Sequence, residues 1–599
     1  MLRAFLLVLL VAPVAHAQIW NNQPLEQGFE RADFFFRPTF INPYGLGNFG
    51  SVAPGLIDSP LLDLQVNPAR LADYSEGQLY LDFRGTREGQ DRAIYPYLRY
   101  ADSAARLASD VAYYPGYYAQ GSRPVDPVLS TAVITRPFGK GRPVWLGGSV
   151  QGIFRDGAYH YVPYGDYRTE LGADFAGNRA DSESIPITDR SNGTDQMREA
   201  GAFITVFGGA RLLPNVDLGI RLARNVFDRD GDLANLNRYD AAVSSGQTSF
   251  WSHDERRAQD YGAWDASAGL RIQLNRRLSV GVTAGYLTGE ASQRQTRQDS
   301  SFSVYDRPTD SYASRYFNDG GADQRWDHDG ETLYGGLQST IDFKKGQRLQ
   351  LTYRFLQERT DLGLASVAQD TSYSFYRSAY ENRRYQGEWA SGFSDTRTGA
   401  GNREVDLHRL GVAYRWILDR KTQLDLGAQI QRTDRRTTTS EAVTGRRAWE
   451  NEYINNGTAE ARSEDIRETK TLNWMFDART TTVFVPAYLT RKINGAFEVT
   501  FGIARSLSAW RIEDETLALI DERVNTTNGE TVRETDFGER FRVPTERQSE
   551  VETSLLFGAT VRPAKDLSLR LSFSPTRRSS YYAGDLTDFE GWLALELNF

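Results

Sequence analysis

From about residue 78 onward the chain repeats one unit: an alternating strand, a tight turn, a second alternating strand, then a long polar stretch. The clearest copy runs from Trp264 to Tyr286. Ala266, Ala268, Leu270, Ile272 and Leu274 alternate with Asp265, Ser267, Gly269, Arg271 and Gln273. After Asn275-Arg276-Arg277, Leu278, Val280, Val282, Ala284 and Tyr286 alternate with Ser279, Gly281, Thr283 and Gly285. A period of two gives a strand with one apolar and one polar face and is incompatible with a helix. The unit recurs around Gly139-Lys140-Gly141, Pro214-Asn215, Lys344-Lys345-Gly346, Asp419-Arg420-Lys421, Lys492-Ile493-Asn494-Gly495 and Pro563-Ala564-Lys565-Asp566. Strands of roughly 10–13 residues are about what a tilted strand needs to cross a bilayer.

The segments between hairpins, near 156–197, 228–261, 291–330, 360–404, 435–478 and 511–549, are rich in Asp, Arg, Ser, Gly and Tyr. Short turns alternating with long polar loops match the periplasmic and extracellular ends of an outer-membrane barrel. The expected fold is all-β, a transmembrane antiparallel up-and-down β-barrel. Seven hairpins supply fourteen strands, and Gln78–Thr86 and the C-terminal strand bring the expectation to about sixteen. Ala93–Tyr100 and Val111–Tyr118, within 88–127, leave eighteen open, and fourteen is the lower alternative. An even number places both termini in the periplasm. Pro486 lacks an N–H and marks an expected bulge or break.

The C-terminus carries its own signal. Leu593, Leu595, Leu597 and Phe599 share one face, and an apolar stripe ending in Phe resembles the signal by which outer-membrane proteins are recognised for barrel assembly. The expected partners are outer-membrane lipid and the barrel-assembly machinery. At the other end, Met1-Leu2-Arg3, the apolar run Ala4 to Val14 and Ala15-His16-Ala17 read as a secretory signal peptide over 1–17. That run is too short to span a hydrocarbon core. These features place the mature chain, from Gln18, in a bacterial outer membrane as a multi-pass protein.

Composition is consistent with this. With no cysteine there are no disulfides, thiolate chemistry, Fe–S clusters or Cys-type zinc sites. After residue 17 no apolar run reaches the roughly 18 residues of a membrane helix, but alternating strands average out their hydrophobicity. Aromatic residues are 12%, high for a soluble enzyme. A net charge of -8 argues against nucleic acid as a partner.

Residues 18–77 precede the barrel (78–599) and read as a periplasmic segment or a small plug. Asn67 reads as a helix N-cap with Pro68 at the first helical position. Asn67-Pro68-Ala69, just before the first strand, resembles a segment of the long-chain fatty-acid outer-membrane transporter family, with the likeness confined to 61–84. That resemblance implies an N-terminal hatch plugging a barrel of about fourteen strands, and a hydrophobic ligand. The strand count and the polar loops depart from it, and no ligand-binding residue carries over. Sixty residues are too few for the plug of a TonB-dependent receptor.

Enzymatic chemistry has little support. The histidines after the leader, His160, His253, His328 and His408, lack metal-ligand spacing, and neither Gly-x-Ser-x-Gly nor a P-loop is present. His160, His253 and His328 fall in expected solvated loops. No catalytic residue, metal or other cofactor is assigned. Asp228-Arg229-Asp230-Gly231-Asp232 and the stretch Asp323 to Glu331 read as solvated loops, with loop-bound Ca²⁺ as the alternative; the first lacks the spacing of an EF-hand.

The polar strand faces point into the lumen. They carry Arg221, Arg271, Arg354, Arg415 and Arg570, with Asp217, Asp265, Asp342, Asp425, Glu498 and Glu596 as further pore-lining candidates. Arg221, Arg271, Arg415 and Arg570 lie at similar distances from short turns and so at one level. They form either an anion-attracting collar or, as preferred, a ladder neutralised by the lumen carboxylates. Sixteen strands enclose a lumen wider than side chains fill. The expected function is a passive or weakly selective channel or transporter for small solutes. The alternatives are a hatch-plugged transporter of hydrophobic ligands or lipids, and a barrel displaying loops for adhesion, receptor or scaffold work.

Overall fold

The structure is a computed structural model that describes residues 24–28, 36–49, 56–57, 59–74, 76–88, 128–138, 143–157, 188–240, 247–306, 312–344, 346–380, 383–455, 457–580 and 584–599. The leader at 1–17, His160 and most of 88–127 lie outside the described residues.

The described strands are β1 (Gln78–Glu88), β2 (Leu129–Thr135), β3 (Val144–Gly157), β4 (Thr188–Leu213), β5 (Val216–Asp240), β6 (Gln247–Asn275), β7 (Leu278–Asp306) and β8 (Tyr312–Lys344). They continue with β9 (Gln347–Tyr380), β10 (Arg383–Ile417), β11 (Thr422–Asn455), β12 (Thr458–Lys492), β13 (Phe497–Thr527), β14 (Glu530–Ala564), β15 (Leu567–Ser580) and β16 (Gly584–Asn598). These sixteen form one closed barrel in chain order, and β1 pairs antiparallel with β16 to seal it, Leu79 facing Leu597. The hairpins at Pro214-Asn215, Asn275-Arg276-Arg277, Asp419-Arg420-Lys421, Lys492-Ile493-Asn494-Gly495 and Pro563-Ala564-Lys565-Asp566 turn where the alternation breaks; Gly139-Lys140-Gly141 and Lys345 lie outside the described residues.

The two faces of the wall are inverted relative to a soluble protein. Ile220 is 60% and Leu571 61% exposed, whereas Asp265 and Asp425 are 0% exposed. An apolar outer belt around a polar interior is the pattern of a barrel solvated by lipid, so the chain is an outer-membrane β-barrel. The closing strand obeys it: Leu593, Leu597 and Phe599 are exposed outward, with Leu595 half-buried among them. Phe599 continues the ladder through reciprocal backbone bonds with Gly77, at 2.7 and 3.0 Å.

Among the described residues the polar stretches are not loops. They are mostly strand, so the expected length of 10–13 residues holds only for the membrane-level part. From β4 to β14 the strands run 25 to 35 residues. At about 3.3 Å per residue and a tilt near 40°, 35 residues rise about 90 Å, far beyond an apolar band about 25 Å tall. The far ends are tight as well. β13 and β14 join through Asn528-Gly529, at φ 51° and 85°, the pair of positive dihedrals that a two-residue hairpin turn requires. Above the bilayer both strand faces meet water, so the apolar alternation stops although the hydrogen-bond ladder does not. β1, β2, β3, β15 and β16 have only 7 to 15 residues, leaving the described wall lower on that side.

Two placements follow from this extension. Asp228, Asp230 and Asp232 lie on β5 facing outward, and Asp323 to Glu331 lie on β8. Among the described residues no group of three or more His, Asp or Glu side chains is arranged to hold a metal ion. Pro486 interrupts pairing on one side only. Gly427 and Ala428 of β11 have no partners on β12, though both stay paired with β10, while the register on either side is unchanged and Pro486 still faces Ala504 of β13. The result is a gap without a bulge, as a missing N–H aimed at one neighbour produces.

Candidate functional site

The lumen is occupied at its short-turn end by the N-terminal segment. Asn67 caps a 3-10 turn, Pro68–Asp73, accepting the Ala69 N–H at 2.9 Å. The role expected of Asn67 and Pro68 is met with a 3-10 rather than an α geometry. Asn67 also reaches the wall. Its Nδ2 donates to the carbonyls of Leu270 at 3.1 Å and Val282 at 3.3 Å, on β6 and β7. The approach needs glycine, since a Cβ on Gly219 or Gly269 would overlap Pro68 or Asn67. Thr283 Oγ1 donates to the Val66 carbonyl at 3.0 Å. An apolar cluster including Leu61, Leu62, Leu71, Leu46 and Phe49 packs against inward Tyr80, Trp145, Phe207 and Tyr488.

Ionic contacts hold the same segment. Asp73 pairs with Arg271, which also bonds Asp217 at 2.6 Å. Arg211 joins Asp217 at 2.9 Å and donates to the Ala72 carbonyl at 3.1 Å. Burial raises the Asp73 carboxyl, but the hydrogen bonds and charge of Arg271, aided by Arg70 and Arg211, outweigh it and hold it below the usual carboxylate range. Within the segment, Arg70 pairs with Asp63 at 2.9 Å and Tyr74 donates to Asp63 at 2.6 Å.

Every candidate lumen residue has a traceable position. Arg221 is bound to Asp265 at 2.6 Å, and Tyr334 donates to the same carboxylate at 2.6 Å. Arg221 also donates to the Thr39 carbonyl and lies 4.3 Å from the Phe40 ring centroid. Arg415 pairs with Asp425 at 3.2 Å. Arg570 has no carboxylate in direct contact among the described residues; it donates to Tyr488 Oη at 2.5 Å and Thr500 Oγ1 at 3.3 Å and sits over Tyr44, 4.7 Å from the centroid. Tyr44 in turn donates to Glu596 at 2.5 Å. Glu498 pairs with Arg562 at 3.2 Å and Asp342 with Arg348 at 2.9 Å. The four arginines read as a collar are thus engaged by acids, phenols and the N-terminal segment. Arg354, the fifth, faces Arg409 directly across the β9–β10 ladder.

A second contact region lies higher. The Leu25 N–H donates to Glu441 at 2.8 Å, Trp326 Nε1 donates to the Leu25 carbonyl at 3.3 Å, and His328 meets Glu26 at 3.3 Å. His328 is therefore a buried inward residue of β8 and not a solvated loop residue. The expectation failed because its partner lies 302 positions away in sequence. His408 faces outward on β10 beside Tyr353, 2.9 Å from its hydroxyl. His253 lies on β6, likewise in strand rather than loop. Sequence reasoning also missed Arg403, fully buried and paired with Glu358 at 2.8 Å. Its continued alternation with outward Glu404 and Asp406 was masked by polarity on both faces.

No protein-family model matches the chain, and no curated protein matches it. Solved structures of the same general architecture do. A Pseudomonas aeruginosa FadL homologue aligns at 11% identity and a TM-score of 0.31, covering 94% of this chain and 99% of that one. The CymD monoaromatic hydrocarbon channel aligns at 8% identity and 0.31, covering 92% and 97%. The P. putida toluene transporter TodX aligns at 11% and 0.26, covering 89% and 92%.

Proposed function

We propose that this chain is an outer-membrane transporter whose N-terminal segment plugs the lumen, and that solute passes only when the plug shifts. The observation that carries the reading is the seat of Asn67, whose single amide bridges the plug turn and two adjacent wall strands. Hydrogen bonds and ion pairs at this part of the wall can be exchanged for water when the plug shifts, while the apolar cluster of Leu46, Phe49, Leu61 and Leu62 with Tyr80, Trp145, Phe207 and Tyr488 keeps it docked at rest. Arg221, Arg271, Arg415 and Arg570 with Asp217, Asp265, Asp425 and Glu596 then line a path that opens as the segment leaves. Asp342 and Glu498 lie along the wall near the short turns.

Planar-bilayer recording tests this. The full chain should show rare openings, and the Asn67→Ala/Asp73→Asn variant should open far more often at the same unit conductance. Equal open probability in the two proteins rejects the plug as the barrier. The tall wall of β4–β14 favours a second role, display of a surface above the bilayer; a variant with a released plug and no conductance at all would leave that role alone standing.

A further inference from the structure

The inner wall treats its cations in two ways. Arg221, Arg271, Arg397, Arg403, Arg415 and Lys470 each have a carboxylate within 3.2 Å. Arg354 on β9 and Arg409 on β10 have no carboxylate partner among the described residues. They occupy directly opposed positions of the ladder, both half-buried within the lumen. Arg354 has Arg409 as its electrostatic neighbour, and the charge of Arg37 from the N-terminal segment also bears on Arg409. Arg409 donates Nε and Nη2 to a single neutral acceptor, Gln431 Oε1, at 2.9 and 2.6 Å. Like charges directly opposite each other destabilise a ladder, and a guanidinium removed from bulk water without a counter-ion costs more still. A wall that gives each of those six cations an acid and leaves this pair facing each other has room for an anion that the chain does not supply.

The surroundings define the kind of anion. Gly336 stands opposite Arg354, and Gly411 opposite Thr352, so the wall beside the pair is low. Among the described residues, the buried Nε2 of Gln338 on β8, diagonal to Arg354, has no acceptor, and Thr340 Oγ1 below it is likewise unpartnered. These are spare neutral donors beside two forked cationic ones, the donor set that suits a compact oxyanion. One rung above, Tyr334, Leu356 and Leu407 close on one another as a buried apolar cluster, so they offer no surface to an acyl chain.

We propose that Arg354 and Arg409 form a lumenal binding site for a hydrophilic oxyanion of the phosphate or sulfate type, either free or carried on a small polar solute. The site extends the transporter reading to a solute class. Binding to the resting protein does not require the plug to move, so the two ideas fail separately.

The test uses the full chain purified in detergent micelles at constant ionic strength. Inorganic phosphate, glucose 6-phosphate and decanoate are each titrated by calorimetry into wild type and Arg354→Gln/Arg409→Gln. Phosphate should bind saturably to wild type and at least tenfold more weakly to the double variant. In phosphate-free buffer the variant should melt no lower than wild type, because the substitutions remove a repulsion and keep hydrogen-bonding ability. Arg432→Gln, on the outer wall, should keep wild-type phosphate affinity. Glucose 6-phosphate binding with the same dependence on the pair identifies a solute-borne group; binding of inorganic phosphate alone identifies the free anion. No saturable phosphate binding, equal affinity in the double variant, or decanoate as the one ligand that depends on the pair would overturn the proposal.

Discussion

Replacing Asn67 with Ala isolates the seat of the plug from the rest of the barrel. The side chain is 1% exposed and makes three hydrogen bonds: one capping bond from Ala69 and two to wall carbonyls. At a net contribution of about 0.5–1.5 kcal/mol each, their loss weakens docking by about 2–4 kcal/mol. The wall loses no ladder pair, so the cost falls on the docking equilibrium and not on the closed sheet. Because the chain has no native cysteine, a single reporter at Ala72, which is buried beside the wall, reads undocking directly. Where reclosing outpaces labelling, the maleimide rate scales with the undocked population. Every 1.4 kcal/mol is tenfold, so Asn67→Ala should speed labelling of Ala72→Cys by about 30- to 1000-fold. The melting temperature of the barrel should change little. A change in labelling below threefold, with the protein folded, would refute the assignment of Asn67 as the seat.

Three further outcomes follow from the same geometry. Leu351→Arg places a charge on the lipid face and should cost about 2–4 kcal/mol near the midplane, whereas Ser506→Arg, on the inward face, should be tolerated; equal costs in denaturant refolding into vesicles would show that the two faces are assigned the wrong way round. Deleting Phe599 should sharply reduce the amount reaching the outer membrane while leaving the melting temperature of the assembled fraction within a few degrees, as measured on isolated envelopes. The Asp73–Arg271 contact should be insensitive to pH from neutrality down to the ordinary carboxylate range. A carboxyl held below its unfolded value contributes stability above that value and loses it as pH falls through the lower, folded one. Acid release of the reporter at Ala72 should therefore begin only below about pH 4, and Asp73→Asn should abolish that acid limb; release midway between pH 7 and 5 would contradict the pairing.

Much of the barrel was legible because its rules are local. The strands meeting at Asn275-Arg276-Arg277 announce their turn, direction and faces within twenty-odd residues, and register follows from which face must meet lipid. The same logic fails above the bilayer. Residues 360–380 and 383–404 continue the β9–β10 ladder, with Arg403 facing Thr360 and Gly399 facing Leu364. Water on both sides removes the apolar signal there, while backbone pairing continues unseen in the composition. The lumen was half legible. Arg221, Arg271, Arg354, Arg415 and Arg570 could be assigned to the inward face, but not to partners.

What the sequence alone determined is the class of object: an exported, cysteine-free chain whose period-two hairpins close into an antiparallel barrel of about sixteen strands. Alternation and turn chemistry act over a few residues, and one strand's faces do not depend on any distant contact. What only the tertiary structure decided is the chemistry of the interior. Asp73 meets Arg271 across 198 positions, Leu25 meets Glu441 across 416, and Arg354 faces Arg409 with no acid between them. Ion pairing and desolvation depend on ångström-scale proximity, and in a barrel that proximity is set by ring closure and by the path of a segment threaded through it.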